Sequence, residues 1–286
     1  MDVVEALLRI IAGYFEQGLF GAFEIGEAGT TRDRRGLRLM FADLVFAEPQ
    51  FVAISEPGIT ANKDSFIGNA AEKWSGRLQI GQLQQGPPPF APYLFTDIVS
   101  NPIVEHLSIT LLGEGAFNGF YNGNTNSPGS TQQGLHMDAG HLWPNLTPSH
   151  PTVSVVVNIP TIEVTEAEGA IELWPGTHLI GDVSRGLDTE AEENRRQVRP
   201  PVRGETQKGD VLIRDMRLWH RGTPNRSDQY RHMIALVHNV GWLRRGQRLR
   251  YVKGCESIFQ NCRVDPHAVF IDECHDYLFD YRGPNV

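Results

Sequence analysis

The sequence has few cysteines and no long apolar run. Its three cysteines, Cys255, Cys262 and Cys274, all lie near the C-terminus and form no CxxC pair. This pattern favours reduced thiols in a reducing compartment over a disulfide framework. A membrane-spanning helix needs about 18 or more consecutive apolar residues, and the sequence contains no such run.

Basic residues are also in deficit, with 26 Lys and Arg against 34 Asp and Glu and a formal net charge of −8. Proteins bind nucleic acid and anionic membranes through basic patches, so we expect neither as a partner. The first five residues, Met-Asp-Val-Val-Glu, carry two acids where a secretory signal carries Lys or Arg. We therefore expect a soluble, cytoplasmic protein, and its oligomeric state is left open.

The composition is that of a globular protein, with 40% hydrophobic and 21% charged residues. No internal repeat or linker divides the chain, and we expect one domain over residues 1–286. Apolar residues at three- and four-residue steps predict a helix over residues 3–16, and a strand follows at 19–25. The Pro-rich stretch at 87–89 predicts a loop, and residues 105–112 fit either a helix end or a strand.

From about residue 116 onward, short apolar runs are separated by Gly, Pro, Asn and Ser. These runs cover residues 152–159, 170–174, 210–214 and 233–240. Several short strands with turn signals between them predict an all-β sandwich or barrel, and hence a mainly β fold with flanking helices. The charged segment 190–197 predicts a solvated helix or loop.

The sharpest motif is Gln-Gly-Leu-His-Met-Asp at residues 133–138. In a strand, residues i and i+2 point to the same face, so His136 and Asp138 can aim at one point. A second histidine from a distant strand would complete a two-histidine, one-carboxylate facial triad, the ligand set of non-haem Fe(II) oxygenases. Since an isolated HxD occurs by chance in many chains, the interpretation depends on that second histidine.

The segment that follows residue 209 supplies it. A Gly-Asp turn at 209–210 opens an apolar strand, and a short connection then leads to His220. Arg231 opens the next strand, eleven residues later (231 − 220 = 11). A buried Arg beside a metal is costly without an anion, and its planar fork binds a carboxylate better than Lys does. The two residues therefore predict a metal ligand and an anchor for a dicarboxylate.

These motifs resemble the phytanoyl-CoA dioxygenase family of Fe(II)- and 2-oxoglutarate-dependent oxygenases. The resemblance is carried by the HxD motif, by His220 at a distance of 82 residues (220 − 138 = 82), by Arg231, and by the apolar run and Pro-Gly-Thr-His turn at 170–178. It covers residues 116–240 well and the first hundred residues only loosely. The segments around both histidines resemble the natural-product branch of that family.

The resemblance implies a double-stranded β-helix, a cupin-like jelly roll, in which His136, Asp138 and His220 bind Fe(II). It implies that 2-oxoglutarate and O2 are co-substrates and that Arg231 pairs with the distal carboxylate of 2-oxoglutarate. The implied activity is a dioxygenase that oxidises a small polar metabolite, by hydroxylation or a related C–H oxidation, in natural-product biosynthesis.

Four further residues are candidates for the site. Gln133 corresponds to a family position near the other carboxylate of 2-oxoglutarate. Asn158 stands where several relatives have Trp, and it can contact 2-oxoglutarate or substrate, or merely satisfy a strand. Trp143 and His141 follow the first two ligands and are candidates to line the substrate pocket, although an aromatic residue beside a metal is as often a packing residue.

Two other functions fit part of the pattern. A zinc-dependent hydrolase or isomerase on a cupin-like barrel could use the same three ligands, but it leaves Arg231 without an anion to bind. A non-catalytic relative could bind a small carboxylate as a sensor. Loss of a ligand or of the Arg would favour that function, and here all four residues are present.

Overall fold

The computed structural model describes residues 23–25, 31–33, 82–85, 87–144, 146, 149–181, 187–244 and 246–273. The helix predicted over residues 3–16 lies outside this part of the chain. Of the strand predicted at 19–25, the structure describes β1 (Phe23–Ile25), which pairs with β2 (Thr31–Asp33). Among the described helices, none has both the length and the apolar character needed to cross a bilayer.

Two antiparallel sheets form the body of the fold. The larger sheet has the order β3-β4-β10-β5-β8 and consists of β3 (Gln82–Gln85), β4 (Phe117–Asn126), β5 (Ser154–Pro160), β8 (Leu212–Asp215) and β10 (Arg231–Asn239). The smaller sheet has the order β7-β6-β9 and consists of β6 (Ile171–Leu173), β7 (Val202–Gly204) and β9 (His220–Arg221). A parallel pair, β11 (Leu249–Val252) and β12 (Ala268–Ile271), follows them.

The chain passes repeatedly from one sheet to the other. After β4 in the larger sheet, His136 forms a bridge to β9 in the smaller one. The chain then returns to the larger sheet at β5, adds β6 and β7 to the smaller sheet, and alternates again through β8, β9 and β10. This winding is that of a jelly roll, which confirms the predicted fold class.

The larger sheet has two differently used faces. On its outer face, Val157 of β5 and Ile234 and Leu236 of β10 pack with Ile98 of α1 (Thr96–Val99). Neighbouring residues of a strand point to opposite sides of the sheet. The residues that alternate with these along β5 and β10 therefore lie on the inner face. On that face Val156 and Val237 pack with Ala139, which follows the HxD motif. The inner face is therefore the one that the predicted metal ligands adjoin.

Helix α2 (Pro102–Leu112) decides the alternative left open for residues 105–112 in favour of helix. Asn101 caps it by accepting hydrogen bonds from the backbone N–H groups of Ile103 and Val104. Proline occupies its first position, where no N–H is needed. Short 3-10 turns lie at Thr177–Leu179, Gly241–Leu243 and Glu256–Phe259.

The charged segment predicted as a solvated helix or loop is helix α3 (Thr189–Val198). It has no buried residue, but contacts between side chains attach it to the smaller sheet. Arg196 lies over the ring of Trp174 at 4.9 Å, and Ala191 packs against the cluster that contains that indole. Of the two predicted alternatives, helix or loop, the structure has the helix. Its contacts with the sheet could not be inferred from its composition.

A buried histidine between α2 and β10 gives the fold a predictable response to acid. The Nδ1 of His238 lies 2.7 Å from the Ser108 hydroxyl, and burial lowers the pKa of this imidazole to about 4. An unfolded histidine has a pKa near 6.5, about as in a free peptide. Between these values the unfolded chain binds the proton and the folded chain does not. The contribution of His238 to stability is therefore complete above pH 6.5 or so and is lost as the pH falls towards 4.

We expect the free energy of unfolding to fall between about pH 6.5 and pH 4, by up to about 1.4 kcal/mol per pH unit for each such histidine. In His238→Asn, which keeps an acceptor near Ser108, the pH dependence of the free energy of unfolding should decrease by the contribution of one histidine. Urea unfolding at several pH values measures it, with Thr110→Asn on the same helix as the control, because Thr110 is exposed and does not titrate. An unchanged slope in His238→Asn would contradict the assignment.

Candidate metal centre

One pair of backbone hydrogen bonds brings the two histidines together. The N–H of His136 donates to the carbonyl of His220 at 3.0 Å, and the N–H of His220 donates to the carbonyl of His136 at the same distance. Residues that exchange both hydrogen bonds in an antiparallel pair have their side chains side by side. The imidazole centroids accordingly lie 4.4 Å apart. The HxD motif thus forms a single bridge rather than the regular strand that its spacing predicted.

Both imidazoles are oriented by the main chain just before them. The Nδ1 of His136 lies 2.8 Å from the carbonyl oxygen of Gly134, and the Nδ1 of His220 lies 2.9 Å from that of Leu218. A carbonyl only accepts hydrogen bonds, so each Nδ1 carries the proton and each Nε2 has a free lone pair. This is the arrangement in which histidine binds a metal through Nε2.

Asp138 supplies the third ligand atom. Its Oδ1 lies 3.4 Å from the Nε2 of His220 and 3.8 Å from the Nε2 of His136. The three ligand atoms lie within 4.8 Å of one another, close enough to hold one metal ion. The backbone N–H of Asp138 donates to the carbonyl of Met216, so this ligand too is tied to the segment that precedes His220.

The electrostatics of the triad suit a cation. Burial, assisted by the neighbouring His220, lowers the pKa of His136 to about 4, which keeps its imidazole neutral at physiological pH. Burial alone would raise the pKa of Asp138. Arg214 and the two imidazoles outweigh it, however, and hold that pKa well below its usual value. The site therefore presents two imidazole nitrogens and one carboxylate, a donor set that fits non-haem Fe(II).

Arg214 is a residue of this site that the sequence did not reveal. It belongs to β8, and its Nη2 lies 2.6 Å from Oδ2 of Asp138. The side chain is only 7% exposed. In sequence it ends an apolar strand, where an Arg is usually a solvated edge residue. The available signal was its alternation with Leu212 and Met216, which places it on the inner face.

Arg231 and Asn158 lie on that inner face as well. Arg231 is buried at the start of β10, its Nη1 donates to Asn124 Oδ1 at 3.1 Å, and burial lowers its pKa to about 10. Neither its Nε nor Oδ1 of Asn158 finds a hydrogen-bond partner within the described part of the chain. His232 points to the outer face, where its Nδ1 lies 2.8 Å from the Thr125 hydroxyl.

Gln133 links the two segments that carry the ligands. Its side-chain oxygen accepts the backbone N–H of Gly222 at 2.7 Å, and its own N–H donates to the carbonyl of Gly222 at 2.9 Å. Gln133 thus extends the backbone ladder of His136 and His220 by side chain as well as main chain. Its contact with a co-substrate, like that of Asn158, stays a prediction.

His141 and Trp143 belong to a cluster around His150. The Nδ1 of His141 lies 2.9 Å from the Ser149 hydroxyl, and Trp143 packs edge-on against His150 with ring centroids 5.4 Å apart. Trp143 is 51% exposed and also lies against Trp242. Contact of either predicted residue with a substrate stays a prediction.

A fully buried arginine holds this cluster against the segment leading to His220. The guanidinium of Arg217 forms a fork with Asp215, with Nε–Oδ1 and Nη2–Oδ2 distances of 2.9 and 2.7 Å. Its Nη1 donates to the Ser149 hydroxyl at 3.1 Å and to the carbonyl of His150 at 2.9 Å. The loop after the HxD motif and the turn before the last ligand are therefore fixed by one side chain.

The residue after His220 connects the centre to helix α3. The Nε of Arg221 lies 2.7 Å from a carboxylate oxygen of Glu172, and its Nη2 donates to Glu192 at 2.9 Å. Both ion pairs are largely shielded from solvent, so water screens them less than pairs on an open surface. Helix α3 thus stabilises β9 through the ion pair of Glu192 with Arg221.

Comparison with known proteins agrees with this geometry. The phytanoyl-CoA dioxygenase family matches residues 90–233, about half of the chain, a range that includes His136, Asp138, His220 and Arg231. The chain belongs to the phytanoyl-CoA dioxygenase family. The residues that align with the family are therefore those that carry the triad and the buried arginine.

Individual relatives of this family member match only part of it. Dioxygenase cdmA of Talaromyces verruculosus is 29% identical over 111 residues. This match covers 38% of the present chain, which spans about a third (35%) of the length of that curated relative. The crystal structure of EvdMO1 covers 48% of this chain and 30% of its own, at 24% identity and a TM-score of 0.39. The crystal structure of SnoN, described as a non-haem α-ketoglutarate-dependent epimerase from nogalamycin biosynthesis, covers 50% of this chain and 55% of its own. Its sequence identity is 20% and its TM-score 0.42.

A testable prediction for this phytanoyl-CoA dioxygenase family protein concerns metal binding. We expect one Fe(II) or Co(II) ion per chain, and we expect His136→Ala, Asp138→Ala and His220→Ala each to weaken it by at least about 100-fold, more than loss of an outer-shell partner typically costs. Calorimetric titration with Co(II) under anaerobic conditions measures the affinity. Glu163→Ala, which removes an exposed carboxylate, is the control. Unchanged Co(II) affinity in His220→Ala would overturn the ligand set.

Proposed function

We propose that the protein is an Fe(II)- and 2-oxoglutarate-dependent dioxygenase that oxidises a small polar metabolite by hydroxylation or a related C–H oxidation. One observation carries this proposal. A His-Asp-His triad and a buried arginine with no anionic partner among the described residues lie on the inner side of the same jelly roll. Membership of the phytanoyl-CoA dioxygenase family supports Fe(II) and 2-oxoglutarate as its cofactors.

In this proposal the triad holds the metal through the Nε2 atoms of His136 and His220 and Oδ1 of Asp138. Three protein ligands on one face of an octahedral ion leave three positions for small molecules. Fe(II) with 2-oxoglutarate supplies activation of O2, coupled to decarboxylation of 2-oxoglutarate to succinate. Because the carboxylate of Asp138 is present, the halogenase variant of such sites, in which a halide replaces it, is not supported.

Arg231 binds the distal carboxylate of 2-oxoglutarate in this proposal. A guanidinium buried on an inner sheet face loses its hydration and recovers only part of it from the amide of Asn124. A carboxylate would supply both a charge and two parallel acceptors for its fork. The alternative of a zinc hydrolase gives this buried charge no partner, and we favour the oxygenase for that reason.

The inner wall supports a polar substrate. Asn122, Asn124 and Asn126 occupy alternate positions of β4, on the same side as Phe120 of the inner cluster, and Asn158 faces inward from β5. Carboxamides can donate and accept hydrogen bonds, so such a wall suits hydroxyl or amino groups better than an acyl chain. The resemblance of the ligand segments to the natural-product branch supports a role in natural-product biosynthesis.

The role of Arg231 can be tested by co-substrate affinity. We expect Arg231→Ala to weaken 2-oxoglutarate binding to the metal-loaded protein by about 2–5 kcal/mol, the cost of leaving one partner of a buried charge pair alone. Arg231→Lys should recover only part of the loss, because an ammonium group cannot form the fork. Anaerobic titration of the Fe(II) protein with 2-oxoglutarate, followed by its visible charge-transfer absorption, gives both affinities.

Arg263→Ala is the matched control, since its guanidinium is half-exposed and forms only a long ion pair with Glu114. It should bind 2-oxoglutarate like the wild type. Substrate-stimulated release of succinate, screened over polar metabolites and long-chain acyl-CoA thioesters, then tests the substrate class. Wild-type affinity for 2-oxoglutarate in Arg231→Ala would show that Arg231 is structural, and a preference for acyl-CoA would contradict the polar pocket.

A further inference from the structure

The carboxylate of Asp138 is divided between two partners. Its Oδ1 faces the imidazoles of His136 and His220, whereas its Oδ2 lies 2.6 Å from Nη2 of Arg214. Asp138 is 27% exposed and the Arg214 side chain only 7%. The Oδ1 side of the carboxylate thus faces the two imidazoles, and the Oδ2 side faces the buried guanidinium.

The strand that carries Arg214 leaves it little freedom. Arg214 pairs with Val156 in the register between β8 and β5, and the backbone carbonyl of Met216, two residues on, accepts the N–H groups of Asp138 and Ala139. Donor and acceptor side chains therefore project from two segments that are already hydrogen-bonded to each other. This arrangement fixes the side of the Asp138 carboxylate that the guanidinium meets.

Stability alone does not account for an arginine at this position. Its Nε and Nη1 are buried, and within the described residues neither has a hydrogen-bond partner. A buried guanidinium that meets a single carboxylate oxygen recovers only part of its desolvation cost. An apolar residue would fit the neighbours on this face, Val156 and Met216. The benefit of Arg214 must therefore lie in what it does to Asp138.

We infer that Arg214 is a positioning residue that holds Asp138 in monodentate geometry towards the metal. A carboxylate can bind a metal through one oxygen or through both. With Oδ2 held by Arg214, Asp138 would offer the metal Oδ1 alone, so the protein would supply three ligand atoms and leave three positions of an octahedral ion for other molecules. A bidentate Asp138 would occupy a fourth position, and 2-oxoglutarate and O2 could not both bind.

The inference rests on the proposed function and makes a distinct prediction for two variants. Arg214→Met keeps the bulk of the side chain and removes its hydrogen bond, so that both oxygens of Asp138 can turn to the metal. We expect its Co(II) affinity to be no weaker than that of the wild type, while the Fe(II) protein loaded with 2-oxoglutarate binds nitric oxide, a stand-in for O2, about 10- to 100-fold more weakly, the usual size of an outer-shell effect on a metal site. Arg214→Lys keeps one charged donor and should restore most of the nitric oxide affinity.

The experiment has two arms on the full chain. Co(II) alone is titrated by calorimetry, and X-ray absorption of the Co(II) protein reports the number of bound oxygen atoms at the carboxylate. Nitric oxide, as a stand-in for O2, is then titrated anaerobically into the Fe(II) protein saturated with 2-oxoglutarate. Arg203→Met is the control, because Arg203 also pairs with a carboxylate, that of Glu172, but does so in the smaller sheet at 3.8 Å.

The outcomes separate the inference from the proposal on which it rests. Failure of the wild type to bind metal, or to bind 2-oxoglutarate once loaded, would overturn the proposed function. If the wild type binds both and Arg214→Met with 2-oxoglutarate bound takes up nitric oxide equally well, or loses Co(II) binding, only the role of Arg214 is overturned. Should Arg214→Met fail to fold, as judged by circular dichroism, Arg214→Lys decides. Co(II) affinity at the wild-type level with a partial loss of nitric oxide affinity supports the role, and loss of Co(II) binding or an unchanged nitric oxide affinity overturns it.

Discussion

The centre depends on two backbone hydrogen bonds, those that His136 and His220 exchange. They join segments that are far apart in the chain, and they place two imidazoles on one side without requiring a regular strand on the His136 side. Gln133 and Asp138 continue the same pairing in both directions, to Gly222 and Met216. The jelly roll is the means by which these segments come together, because its winding returns the chain to the smaller sheet at both points.

The positive charges around this ladder matter because they are buried, not because they are numerous. The chain as a whole is acidic, yet four arginines are buried in or beside the segments that carry the candidate ligands, namely Arg214, Arg217, Arg221 and Arg231. Their acceptors are, respectively, the carboxylate of Asp138, a neighbouring carboxylate with a backbone carbonyl, the carboxylates of Glu172 and Glu192, and an amide. Since only Arg231 lacks an acidic partner among the described residues, it is the one whose charge calls for a ligand from outside.

Local sequence was enough to predict the features that have strong periodicity or fixed spacing. The short apolar runs gave the β fold, with β5 and β10 close to the predicted positions, and the spacing of His136, Asp138 and His220 gave the triad. Arg214 could not be predicted in the same way, because its role comes from the register between β8 and β5, which a single sequence does not specify. The same holds for α3. Its composition predicts a solvated helix, and only the tertiary contacts of Arg196 with Trp174 show that it is anchored.

Both ligand imidazoles are oriented by carbonyl groups of their own segments, two residues earlier in each case. Every amino acid has such a carbonyl, so Gly134 and Leu218 can be replaced without removing the acceptor that orients either ring. Metal binding is in this respect insulated from mutation of the nearby pocket. A lineage that carries this site can therefore acquire new substrates by exchanging wall residues, with little risk of losing the metal on the way.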